Sequence, residues 1–217
     1  MTGKLAFTLC AALASATPAL AGTITPVAVT ASDTFPFFGQ YKPENLIDGS
    51  GLSGGRHDDD YVNMWMTDQS VQAATLTFDL GGSYVLTGVD IWNYNFGDPG
   101  FASLLDRGAK DFTVALSSDG VSYTQVLAST LLRGTGDALD AQRFALAGGA
   151  RYVQVNLLNN YATDPYTNFT SVGLSEVRFA GALAAAVPEP ASWAMMIAGF
   201  GLVGGALRTV PQRFAVA

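Results

Sequence analysis

Hydrophobic and polar residues alternate with the two-residue period of half-buried strands through much of 24–181, and no long 3.6-residue helical period interrupts them. In 75–82, TLTFDLGG, Leu76, Phe78 and Leu80 fall on one face, Thr75, Thr77 and Asp79 on the other, and Gly81-Gly82 is expected to turn the chain. Residues 111–126, DFTVALSSDGVSYTQV, put Phe112, Val114 and Leu116 inward, and Asp119-Gly120 then offers a hairpin turn into the next strand. RYVQVNLL aligns Val153, Val155 and Leu157, and LSEVRFAG closes the series with Val177 and Phe179. Short strands, turn signals and the lack of a long helical pattern predict an all-β protein, a jelly-roll β-sandwich.

Both ends of the chain break this pattern. At the N-terminus Lys4 precedes an apolar run from Leu5 to about Leu13, and small residues end at Ala19-Leu20-Ala21. This is the pattern of a secretory signal peptide over 1–21, cleaved after Ala21. The alternative, an N-terminal membrane anchor, needs an apolar run of roughly 20 residues. Cys10 lies inside the run and lacks the small residues that precede a lipoprotein cysteine, so the expected mature chain has no thiol for disulfides, catalysis or metal binding.

At the other end an alanine-rich linker, 182–187, leads to Pro188-Glu189-Pro190, which a helix cannot enter from upstream. An uncharged run over about 191–207 follows, at the short end of what spans a bilayer, and then Arg208 and Arg213. The positive-inside rule places those arginines in the cytoplasm and the main domain outside. Gly199, Gly201, Gly204 and Gly205 give the run a smooth surface suited to close helix approach.

Composition narrows the partners. The chain has 217 residues, room for one domain with a real core, here 22–181, plus processing segments. Only 13% of residues are charged and the net charge is −7, which argues against nucleic acid and favours neutral or cation-bridged ligands.

Residues 188–213 resemble the sorting tail of PEP-CTERM proteins: Pro-Glu-Pro, a tryptophan three residues on, MMIAGFGLVGGAL, then basic residues. The resemblance implies recognition by exosortase, a membrane-embedded cysteine protease of bacteria that make exopolysaccharide. The helix would then halt transiently in the inner membrane before release to the cell surface or extracellular matrix. RTVPQR is looser than the family's usual arginine cluster, so a permanent single-pass anchor stays open. The body resembles a discoidin-like domain (coagulation factor 5/8 type C, galactose-binding-like) through six segments in order: NLIDGSGLSG, MWMTD, ATLTFDLGGSYVLTGVDIWNYN, KDFTVALSSDGVSYTQV, ARYVQVNLL and GLSEVRFAG.

That second resemblance implies a structural calcium ion held by Asp48 and Glu176, with further main-chain oxygens near Asn45 and Ser50. Calcium takes six to eight oxygens, and Gly49 permits the tight turn. The plainer reading is that Asp48 caps its own turn and Glu176 is a solvated strand residue. In GGRHDDDYVNMWMTD, His57 beside Asp58, Asp59 and Asp60 lacks the second spaced histidine of a zinc site, so the loop reads as a solvated acidic segment that could still line a ligand site. Trp65 and Trp92 read as core residues before sugar platforms. Asn93, Tyr94, Asn95 and Arg107, in or beside the loop NYNFGDPGFASLLDRGAK, are with His57 the candidate ligand-binding residues. No spacing picks out a catalytic pair from Asp79, Asp90 and Asp111, and no nucleophile elbow, phosphate loop or paired-histidine helix occurs. The expected function is that of an exported, non-catalytic module binding carbohydrate in the form of exopolysaccharide. The rivals are a structural matrix protein without a sugar site and, further off, a glycan-acting hydrolase.

Overall fold

The alternating runs become strands, two of them far longer than their patterns suggest. The computed structural model describes residues 21–36, 39–98, 100, 102–163, 170–184 and 190–208. Its strands are β1 (Gly22–Ile24), β2 (Ala28–Ala31), β3 (Leu52–Ser53), β4 (Arg56–His57), β5 (Trp65–Met66), β6 (Ala74–Asn93), β7 (Asp111–Ser117), β8 (Thr124–Thr130), β9 (Leu139–Asp140), β10 (Gln142–Leu157) and β11 (Gly173–Leu183), followed by helix α1 (Pro190–Arg208).

Gly81-Gly82 does not turn the chain, contrary to the expectation above. β6 runs through it, because β10 runs antiparallel beside both halves and offers partners on either side of the glycines. Residues 74–79 of β6 pair with 152–157 of β10, residues 84–91 pair with 142–150, and the register slips between. Gly81 (φ +77°) and Gly148 (φ +155°) take backbone conformations open mainly to glycine, and there the two strands bend together. One layer is therefore β2, the first half of β6, the second half of β10, β7 and β8. The other is the first half of β10, the second half of β6, and β11 with β1 and β5 on its free side. A small sheet, β3–β4–β9, lies apart.

The layers face each other through aromatic edges. Phe78 meets Phe179 with ring centroids 5.5 Å apart, and Phe112 meets Phe144 at 5.0 Å. Leu76, Val114, Val153, Val155 and Val177 fill the space between, all buried as their alternation requires. Trp65 and Trp92 are also interior, their indole N–H groups donating to Thr34 Oγ1 and Gly55 O. A second buried cluster of Tyr41, Met64, Met66 and Tyr94 sits where β5, the end of β6 and the start of β11 converge.

The sandwich extends slightly past its expected boundary. β11 reaches Leu183 and Ala184 N donates to Ser83 O, so 182–184 belong to the body and not to a linker. Contacts divide the chain after Ala184 into two units. At the front, Ala21 is exposed immediately before β1, whereas Ala19 lies outside the described residues, as do Pro188 and Glu189. Pro190 is the first residue of α1, whose 19 residues span about 28 Å at roughly 1.5 Å each. Its described apolar side chains, among them Met195, Ile197, Phe200 and Leu202, are exposed. Among the described residues no helix is long and apolar enough to cross a membrane.

Phe78→Ala removes a fully buried ring from the junction of the layers and is expected to cost about 3–5 kcal/mol in denaturant unfolding, while Val85→Ala, at an exposed position, changes stability by less than about 1 kcal/mol.

Candidate functional site

At the end of the sandwich where β6 finishes and β11 begins, three loops enclose a cavity of about 350 Å³ lined by Phe35, Gln40, Tyr41, Tyr61, Met66, Phe96 and Arg107. Its walls form a chain of rings: Phe35 lies edge-on to Tyr41 at 5.5 Å, Tyr41 is 5.9 Å from Tyr61, and Tyr61 meets Phe96 at 5.1 Å. Local hydrogen bonds place the Phe35 and Tyr61 segments. Phe35 N donates to Met66 O, which ties the loop after β2 to β5. Asp60 Oδ1 accepts from Val62 N and caps the short helical turn Tyr61–Asn63.

Arg107 ends the helical turn Ala102–Arg107 and is 6% exposed. Its Nη1 lies 3.5 Å from the Tyr94 hydroxyl and 3.8 Å from Met66 Sδ. Burial pushes the Tyr41 phenol far above its ordinary range, with the neighbouring Tyr94 adding to the effect, and burial likewise raises Tyr94 against the pull of Arg107. Both phenols stay neutral, so the cavity offers aromatic faces, hydroxyls, an amide and one guanidinium.

The candidate residues divide sharply. Arg107 lines this cavity; Asn93, Tyr94, Asn95 and His57 do not. Asn93 is buried and its amide donates to Ala109 O and Leu132 O while its carbonyl accepts from Tyr94 N. Asn95 donates to Asp58 O and Asp137 O and accepts from Thr135 N and Gly136 N. Tyr94 lies behind the wall as an acceptor for Arg107 and Tyr41. His57 is buried, with Nδ1 against Asp58 O and Nε2 without a hydrogen-bond partner among the described residues. The Asn93 and Asn95 amides are engaged in holding loops, whereas His57 Nε2 is not. Of the residues that sequence reasoning passed over, Phe35, Tyr41, Tyr61 and Phe96 had one available signal, aromatics standing in segments without strand alternation, and Gln40 had none.

A second polar cluster ties the start of the domain to its last strand. Glu176, fully buried, accepts from Gly49 N through Oε2 and pairs through Oε1 with Arg178 at 2.6 Å. Asp48 is exposed and caps its own turn by accepting from Ser50 N. Ser50 Oγ is buried without a hydrogen-bond partner among the described residues. Asn45 holds the neighbouring loops with its side-chain amide, which donates to Gln40 O, Val62 O and Met64 O, and this leaves only main-chain oxygen at that position for a cation. Among the described residues no three acids, histidines or cysteines gather as a metal centre. The strand aspartates are likewise engaged across strands: Asp79 with Arg151, Asp90 with Arg143, and Asp111 with Thr130 and Asn159.

The F5/8 type C domain matches residues 28–172, and the PEP-CTERM protein-sorting motif matches residues 186–210. No curated protein matches the chain. Among solved structures, the family 32 carbohydrate-binding module of AlyQ, in complex with 4,5-unsaturated mannuronic acid, is 25% identical with a TM-score of 0.50, covering 73% of this chain and 97% of its own. The family 32 module of Clostridium perfringens NanJ, in complex with galactose, is 15% identical (TM-score 0.52; 74% and 99% covered). A putative chitobiase fragment from Bacteroides thetaiotaomicron is 18% identical (TM-score 0.56; 76% and 96% covered). The last two establish the shared fold.

Burial pushes the Glu176 carboxyl up to about 7, against the lowering influence of Arg178 and the Gly49 N–H, while Asp48 adds repulsion. The folded state therefore binds this proton more tightly than the unfolded chain. In chelator, stability from this group is complete below about pH 4.5 and lost as pH rises through 7, a fall of roughly 3 kcal/mol. Denaturant unfolding from pH 4.5 to 8 checks this, and Glu176→Gln is expected to flatten that slope.

Proposed function

The chain belongs to the F5/8 type C domain family, and on that premise we propose that it is a non-catalytic carbohydrate-binding module that grips a glycan in the pocket of Phe35, Tyr41, Tyr61, Phe96 and Arg107. One observation carries the reading: a run of four rings in mutual contact lines a concave site at the loop end, with a guanidinium at its base. Pyranose rings present apolar C–H faces that stack on aromatic rings, and their hydroxyls take hydrogen bonds from guanidinium and amide donors. The mannuronate complex of the 25% identical module supports a carbohydrate ligand.

The PEP-CTERM motif marks the protein as exported, surface-directed and subject to exosortase processing. In our reading the sorting tail engages the inner membrane only until that processing, and the released module then holds exopolysaccharide at the cell surface or in the matrix. Calcium is proposed as a structural ion. Asp48, Glu176 and Ser50 Oγ would hold it with main-chain oxygens of the adjoining turn, and the buried, unpartnered Ser50 hydroxyl fits an oxygen-seeking cation. Bound there, such an ion would offset the charge of Glu176 and clamp the Asp48 turn to β11.

Tyr61→Ala and Phe96→Ala are each expected to weaken binding to the producing cell's exopolysaccharide at least about tenfold in a pull-down with the full chain in detergent micelles, without loss of the folded β-sheet circular dichroism signal. Undiminished binding in both variants would move the site elsewhere. Failure of the native, folded chain to bind any polysaccharide would favour the structural-matrix rival.

A further inference from the structure

Beside the aromatic pocket lies a second cleft of about 460 Å³, lined among others by Arg56, Thr135, Asp137, Ala138, Asp140 and Gln142. No aromatic side chain of the described residues lines it. It presents charged donors next to charged acceptors: Arg56 stands 3.4 Å from Asp140, and both side chains are more than half exposed, at 52% and 79%. A sugar hydroxyl both donates and accepts, so it can bridge such a pair where an apolar or singly charged ligand cannot.

The two concavities share one wall. Phe96 lines the first, and the preceding residue, Asn95, holds the second's rim through Thr135 N at 2.9 Å, Gly136 N at 3.0 Å and Asp137 O at 2.5 Å. Arg107 lines the first, and its neighbour Asp106 pairs at 2.6 Å with Arg133 of the second. Gly97 and Gly136 abut in this wall, where a Cβ on Gly97 would come within 3.2 Å of Gly136 Cα. The Leu105 side chain backs the same point, with Cδ1 and Cγ each 3.3 Å from that Cβ.

From this arrangement, and resting on the carbohydrate reading above, we propose that the ligand site is double. The aromatic pocket stacks one sugar unit, and the polar cleft hydrogen-bonds the following units of the same chain across the Gly97/Gly136 wall. The module then selects oligomeric and polymeric glycans over monosaccharides, through hydroxyl recognition in the cleft. Asn95 acts as a positioning residue that sets the cleft rim against the pocket.

The test is isothermal titration of the full chain in detergent micelles with galacto-oligosaccharides and mannuronate oligomers of one to four units. In the series that binds, affinity is expected to rise about tenfold from one unit to four. Ala138→Trp, which fills the cleft from an exposed position, and Asp137→Ala are expected to abolish that rise while leaving single-unit affinity unchanged, which also reports that each variant is folded. Affinity independent of length in the native chain, or a rise that survives both variants, overturns the double site and leaves the pocket intact. If neither series binds at any length, the carbohydrate reading falls for these sugars and the double site with it.

Discussion

Buried asparagine amides hold this end of the molecule together. Loops expose main-chain carbonyls that a strand ladder would otherwise satisfy, and a buried carbonyl without a donor costs roughly 1–3 kcal/mol. Asn45 supplies donors to Gln40 O, Val62 O and Met64 O, joining the two loops that carry Tyr41 and Tyr61. Asn93 and Asn95 do the same for the chain around Ala109, Leu132 and Asp137, and Asn160 for Thr170 and Ser171. The ring-lined pocket is therefore preorganised by side chains that never face it.

Preorganisation matters because the cavity-lining rings sit in loops and a short helical turn and not in the strand ladders. Phe35, Tyr61 and Phe96 come from three separate loops, and each would lose conformational freedom on binding if it were not already held. The sandwich supplies the base. β6 and β10 pass through both layers, bending at Gly81 and Gly148, so the loop after Asn93 springs from a strand anchored along its full length. The same continuity carries Glu176 and Arg178 on β11 to the Asp48 turn, closing the domain's first loop onto its last strand.

The strand faces were legible because alternation is a local property: Leu76, Phe78, Val114, Val153, Val155 and Phe179 each face the core as the two-residue period demands. Gly81-Gly82 misled because a glycine pair marks a tight turn or a bulge equally well, and only a continuous partner strand decides between them. The candidate ligand residues were less legible for a related reason. Asn93, Tyr94 and Asn95 stand out as polar and aromatic residues in a loop, yet whether an amide meets a ligand or a distant carbonyl depends on what lies across from it. Leu132 and Asp137, the partners of those amides, are remote in sequence and silent there.

The sequence by itself determined the all-β class, the inward face of the strand segments read by alternation, the family of the body and the sorting tail, since periodicity and contiguous motifs need no knowledge of tertiary neighbours. Tertiary structure alone decided that four rings from three loops form one wall, that Arg107 joins them while three neighbouring candidates turn inward, and that Glu176 is a buried, Arg178-paired carboxylate. Those outcomes rest on contacts between residues far apart in the chain, where burial and hydrogen-bond competition, acting through space, choose which polar groups are spent on the fold and which remain for a ligand.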